Sequence, residues 1–409
     1  MSSGFDLLRL PTGLQLLGER RPARSVAVGL MFDVGARDEA PDESGAAHLL
    51  EHLAFKGDDG RDADDVNRAF DELGAEVNAF TSHERTFYYG AALAERRGEL
   101  TDLLLRLPRP ALRPEDVARE RSVVLEEIGM IEDQPGARAF DLGAARFFRG
   151  HPLGRSVLGS RATVAALGPA RLAAFRRRWY GADRALMVVS GAYDWGQVVA
   201  QAEAATADWG PSRAQRTHPA WSPASGAGEE RGTGFRRAHV TWFAPAPAAQ
   251  DRARLAAALL GRVVGDDVSG RLFWALVDPG WVDEAALWFE PADRLGSYQG
   301  YAAAADRDHD RVVERFDETL ARFQREGPTP DEWSRAQRAM ATEVSLSGET
   351  PMGRLATLAE AWLDRGEVHD VAATVDRVLS TSLRDGLACL EAMPFTARFR
   401  FSWRPAAPH

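Results

Sequence analysis

The sequence is poor in the groups that most often cross-link a chain or gather metal. Cys389 is the one cysteine in 409 residues, which excludes an intrachain disulfide and any cysteine-built metal cluster. A metal site would have to draw on histidine and carboxylate. Lysine is almost absent as well: Lys56 stands alone among 50 basic residues, the rest being arginine, which reads as a bias of coding composition rather than as chemistry. No apolar run reaches the roughly 18 residues that a membrane-spanning helix needs. The opening stretch M-S-S-G-F-D-L-L-R-L-P-T-G-L-Q-L-L has no basic head followed by an apolar block, so neither secretion nor import is expected and a cytoplasmic location is. Excess positive charge is missing too, and a formal net charge of −10 argues against a nucleic-acid binder.

What is present suits a folded globule. Hydrophobic residues make up 45% of the chain, and its length exceeds one ordinary domain but accommodates two of about 200 residues, each with its own core. Residues 210–234 are dense in proline, glycine and serine and read as a linker. The expected division is therefore a first domain over 1–209 and a second over 235–409.

The most informative stretch is H-L-L-E-H, His48 to His52. A helix turns every 3.6 residues, so His48, Glu51 and His52 share a face and the imidazoles lie about 6 Å apart, within reach of one metal ion. Ser44 is a candidate cap at the helix start, Ala46, Ala47, Leu49, Leu50 and Leu53 favour helix, and Gly57 can end it in the left-handed conformation. A pair of histidines at this spacing also occurs in helices with no metal role. Glu51 shifts the balance, because a carboxylate between two ligands can take a proton from water at the ion. The order is that of zinc peptidases reversed.

With that order, the sequence resembles the inverzincins, the family of pitrilysin, insulin-degrading enzyme and the mitochondrial processing peptidase. The segment E-R-S-V-V-L-E-E-I is similar to the family's E-R-x-V-x-x-x-E motif. The resemblance implies that Glu127 is the third ligand of a Zn2+ ion held by His48 and His52, that Glu51 is the catalytic base, and that Glu120 orients a histidine from behind. Asn78, Ala79, Phe80 and Thr81 match the family's N-A-x-T segment, which implies an edge strand that takes an extended peptide as an added strand. His151–Ser160 resembles the family's turn after the long helix and is assigned structure, not catalysis. The remaining histidines, His83, His218, His239, His309, His369 and His409, show no ligand spacing.

Local patterns set the expected elements. Asp6 to Val34 reads as a strand pair, Val66, Ala69, Phe70 and Leu73 as the inner face of a helix closed by Gly74, Ala75 to Leu93 as a hairpin, and Pro114 onward as a long helix. The second half repeats the order of strand, helices, hairpin and long helices. The fold class expected is α+β, two similar lobes, each a mostly antiparallel sheet covered by helices.

In relatives the second lobe carries an arginine and a tyrosine that reach the substrate. Ser269 to Phe273 resembles only the arginine part, making Arg271 a substrate-binding candidate, while Asp283 stands where the tyrosine would fall. This implies a heterodimer, with a related subunit lacking zinc that supplies arginine and tyrosine. The function so implied is a zinc metalloendopeptidase acting on extended peptides or leader segments, with no nucleic-acid or membrane partner. Two other readings stay open: a catalytically silent peptide-binding or scaffold subunit of the same family, and a metal enzyme of another kind on an unrelated α/β fold.

Overall fold

The computed structural model describes residues 4–406; His409 lies outside them. The chain opens with β1 (Phe5–Arg9), β2 (Gln15–Arg20) and β3 (Ser25–Phe32), then α1 (Ala46–Ala54), α2 (Ala63–Leu73) and the hairpin β4 (Glu76–Thr81) and β5 (Thr86–Leu93). Helices α3 (Arg97–Arg106), α4 (Pro114–Glu132), α5 (Pro135–Phe147), α6 (Arg161–Ala166) and α7 (Pro169–Trp179) lead to β6 (Ala185–Gly191) and α8 (Trp195–Thr206). The second half runs β7 (Gly226–Gly232), β8 (Arg237–Ala246), α9 (Arg254–Gly265), β9 (Ala285–Ala292) and β10 (Leu295–Ala305). It ends with α10 (His309–Glu326), α11 (Pro330–Ser347), α12 (Pro351–Arg365), α13 (Val371–Ser380), α14 (Leu383–Ala392) and β11 (Phe399–Pro405). Among the described residues, no helix is long and apolar enough to cross a membrane.

Two sheets result, ordered β1-β2-β6-β3-β5-β4 and β7-β11-β8-β10-β9. Laid side by side, β2-β6-β3-β5-β4 and β7-β11-β8-β10-β9 are the same pattern. Each has one parallel pair, β2 with β6 and β7 with β11, and is otherwise antiparallel. This bears out two similar, mostly antiparallel lobes. The first core joins Leu16, Val28, Leu30 and Tyr88 from the sheet to Leu49, Leu50 and Leu53 of α1 and Val124 of α4. The second joins Val240, Trp242 and Tyr298 to Leu260, Phe316 and Phe323.

Three details depart from the sequence reading. Asp6 to Val34 holds three strands, because Gly13, at φ +101°, turns β1 back onto β2 in antiparallel register. The stretch 210–234 is not all linker: β7 lies inside it and pairs in parallel with β11. Its G-A-G-E-E-R-G sequence lacks apolar alternation because it is a mostly exposed edge. The compact units are also discontinuous in sequence. One comprises 1–128, 155–217 and 347–368, the other 129–154, 218–346 and 369–409. So α12, encoded in the second half, covers β3 and β6, while α5, from the first half, covers β8 and β11. Contiguous boundaries at 209 and 235 do not describe this exchange, because the apolar faces of α5 and α12 carry no sign of which sheet they cover.

Candidate metal centre

Helix α1 buries Ala46, Ala47, Leu49, Leu50, Leu53 and Ala54, which turns His48, Glu51 and His52 to the other side, half-buried. Its start is not capped by Ser44. The Glu39 carboxylate does this instead, accepting from the Gly45 N–H at 2.9 Å and the Ala47 N–H at 2.8 Å, and so satisfies two of the donors that a first helical turn leaves unpaired. Gly45 occupies φ +96°, where a Cβ would lie 2.7 Å from the Leu158 carbonyl oxygen. The helix ends on Phe55, so Gly57, although left-handed at φ +94°, turns the chain two residues beyond the end rather than closing the helix itself.

Helix α4 supplies the acids. Val117, Glu120, Val124 and Ile128 form its buried stripe, so Glu120 points inward, and Glu127, two turns on, reaches the histidines. The Glu127 Oε2 lies 3.9 Å from His48 Nε2 and 3.6 Å from His52 Nε2. The two imidazole centroids are 4.7 Å apart with planes at 68°. Among the described residues these three side chains make the one group that could hold a metal ion, with one donor from each within 4.8 Å of the others.

The donor set fits zinc. Tetrahedral bonds of about 2.0–2.2 Å place neighbouring donors about 3.4 Å apart, and 3.6 and 3.9 Å differ from that by a few tenths of an ångström. A ligand histidine must be neutral, and burial together with the nearby His52 pushes the His48 imidazole down to about 4. Burial also raises the Glu51 carboxyl, against the opposing pull of Thr81 and His52. A base poised nearer neutrality than an exposed glutamate is better matched to proton transfer at pH 7. Behind the ligands, Glu120 is 4% exposed, with Oε2 3.4 Å from His52 Nδ1 and Oε1 3.0 Å from Lys56 Nζ.

With this geometry in view, comparison with known proteins identifies the lineage. A family model for insulinase (peptidase family M16) matches residues 16–161, and one for the peptidase M16 inactive domain matches 166–340. An uncharacterised zinc protease of Streptomyces coelicolor is 32% identical over 389 residues, 92% of this chain and 84% of that protein. The chain belongs to peptidase family M16. Another relative, an uncharacterised zinc protease of Mycobacterium leprae, is 31% identical over 92% of this chain and 86% of its own. A protease structure from Helicobacter pylori superposes with TM-score 0.90 at 18% identity, covering 98% of this chain and 99% of that one. An M16 inactive-domain structure from Pseudomonas fluorescens gives 0.91 at 16%, covering 99% of both. These two establish the fold.

The M16 fold brings some of the sequence candidates together and leaves others elsewhere. His48, Glu51, His52, Glu120 and Glu127 converge. Asn78, Ala79, Phe80 and Thr81 lie on β4, the edge of the first sheet, and Thr81 is the one beside Glu51. Arg271 belongs to the other unit, where its guanidinium is bound by both Glu332 oxygens at 2.8 and 2.9 Å and by the Gly327 carbonyl at 2.8 Å. Asp283 pairs with Arg237. Among the other histidines, His83 contacts the Arg155 carbonyl, His239 the Tyr301 hydroxyl, and buried His309 sits between Ser402 and Asp310, all structural links. His151 is buried beside the Leu153 N–H, as a structural residue should be. Two contributors escaped the sequence reading. Glu39 offers no local signal, whereas Lys56 did: it is the single lysine and lies one helical turn past His52.

Proposed function

We propose that the chain is a zinc metalloendopeptidase that hydrolyses extended peptides or leader segments, with Glu51 as general base. The observation that carries this reading is the convergence of His48, His52 and Glu127 from two helices, with Glu51 on the same helical face as both imidazoles. Zinc bound there supplies a Lewis acid that polarises a carbonyl and acidifies water. Glu51 accepts the proton of the attacking water and returns it to the leaving amine, so the carboxylate ends the cycle as it began. Such transfers contribute roughly a hundredfold to ten-thousandfold.

The substrate strand pairs with the free edge of β4, where main-chain hydrogen bonds read extended conformation and Thr81 brings the peptide beside Glu51. That mode suits unfolded peptides. Because Arg271 is held by Glu332 and Gly327, and Asp283 replaces a phenol, arginine and tyrosine come from a related subunit without zinc, which makes the working enzyme a heterodimer.

The test is Glu51→Gln. The variant should keep the zinc content of the wild type and lose cleavage of an unstructured fluorogenic peptide by at least about a hundredfold. Undiminished turnover would remove Glu51 from the base role. Comparable rates for the isolated chain and for its complex with a partner would remove the borrowed residues.

A further inference from the structure

All 50 lysine and arginine residues of the sequence are arginine except Lys56, and the structure sets that exception against the carboxylate behind His52. Lys56 Nζ lies 3.0 Å from Glu120 Oε1, and the other oxygen, Oε2, lies 3.4 Å from His52 Nδ1. Glu120 is nearly sealed from solvent, and Lys56 is partly open. The backbone holds the pair in place. The Lys56 carbonyl accepts from Arg113 Nη1 at 3.3 Å, the Asp58 carbonyl accepts from Arg113 Nη2 at 2.7 Å, and the Ala111 N–H donates to the Gly57 carbonyl at 3.1 Å. Arg113 directly precedes α4, so the segment after α1 is fixed against the start of the helix that carries Glu120 and Glu127.

We propose that Lys56 is a positioning residue for the metal ligand His52, acting through Glu120, and that the position requires lysine rather than arginine. An ammonium is a compact point charge that can hold one carboxylate oxygen and leave the second for the imidazole. A guanidinium is a planar fork that takes both oxygens at once, as Arg271 takes both oxygens of Glu332. At position 56 such a fork would draw Oε2 away from His52 Nδ1. The ring would lose the acceptor that keeps its proton on Nδ1 and leaves the Nε2 lone pair facing Glu127. This gives the single lysine of the chain a physical reason at this position.

The inference rests on the metal-centre reading, and zinc affinity separates the two. Competition of the full-length chain against a zinc chelator dye gives the dissociation constant without reference to activity. Lys56→Met and Lys56→Arg should each weaken zinc binding by about tenfold. Lys56→Met should add nothing further in a Glu120→Gln background, because the two act as one unit. A loss below threefold in either single variant, or full additivity with Glu120→Gln, overturns the proposal; failure of the wild type to bind zinc overturns the metal centre itself.

Chemical modification covers variants that do not fold, because Lys56 and the α-amino group are the chain's only primary amines. Acetylating the folded apoprotein removes the charge and should weaken zinc binding about tenfold, whereas reductive dimethylation keeps the charge and an N–H and should leave it within threefold. Equal affinities after the two treatments refute the role of the ammonium.

Discussion

The exchange of α12 onto the first sheet rests on a buried ion pair. The Arg354 guanidinium contacts both oxygens of Glu19, at distances of 2.8 to 3.0 Å, with side-chain exposures of 3% and 6%. Glu19 also accepts from the Ser190 hydroxyl at 3.1 Å and has Arg21 at 3.5 Å. Removing one member of such a pair leaves an uncompensated buried charge, which costs about 3–5 kcal/mol. In Arg354→Ala, Ser190 and Arg21 remain, so the lower end, about 3 kcal/mol, is expected. Leu355, Leu358 and Ala359 still pack on Met31, Phe87 and Leu186, so the helix should dock but open more readily. Replacing both partners by leucine removes charge and need together and should recover most of the loss. The assay is native-state hydrogen exchange of the α12 amides, since a chain of two units need not unfold in one step. Arg354→Ala should speed exchange across 351–365 by about a hundredfold, and the double variant should nearly restore it. Unchanged protection in Arg354→Ala would show that the pair does not hold α12 in place.

Further expectations concern other positions. Gly45→Ala places a Cβ 2.7 Å from the Leu158 carbonyl at φ +96°. It should cost about 2–4 kcal/mol and weaken zinc binding, as read by thermal melts and zinc titration; a melting point unchanged from wild type would contradict the tight helix start. Burial alone would raise the Glu332 carboxyl, but Arg271 and Thr329 hold it down to about 2 against an ordinary 4.5. Its folded pKa is depressed, so its stabilisation is present above pH 4.5 and fades as pH falls toward 2. For a partly exposed group this is about 1 kcal/mol. Glu332→Gln should flatten the acid limb of stability in that window; an identical limb would contradict the clamp.

Much of this molecule is written locally and some of it is not. The second helix could be read from its periodicity: Val66, Phe70 and Leu73 are its buried face, with Ala69 half-buried beside them, and Gly74 ends it in the left-handed conformation; the Asp62 cap is what the structure adds. H-x-x-E-H was legible because helical periodicity alone puts the three side chains on one face. Glu127 was not legible from periodicity, since α4 carries many acids, and only the resemblance to a known motif selected it. The pairing of Lys56 with Glu120 and the crossing of α5 and α12 depend on contacts between segments far apart in sequence, while Glu39 acts only six and eight residues away, through a carboxylate cap that no local pattern marks. Lys56 stands out as the single lysine, but the carboxylate it meets, Glu120, lies 64 positions further on, in α4, and nothing beside Lys56 in the sequence points to it. Likewise β7, all glycine, alanine and charge, becomes a strand only because β11 offers it a parallel partner.

The central claim is that α1 and α4 jointly hold one divalent ion, and the zinc content of the dialysed chain tests it most directly. The account predicts about one zinc per chain in wild type and in Glu51→Gln, and none in Glu127→Ala, whose fold should be intact because that side chain is partly exposed. Zinc retained at full stoichiometry in Glu127→Ala, or absent from the wild type, would contradict it.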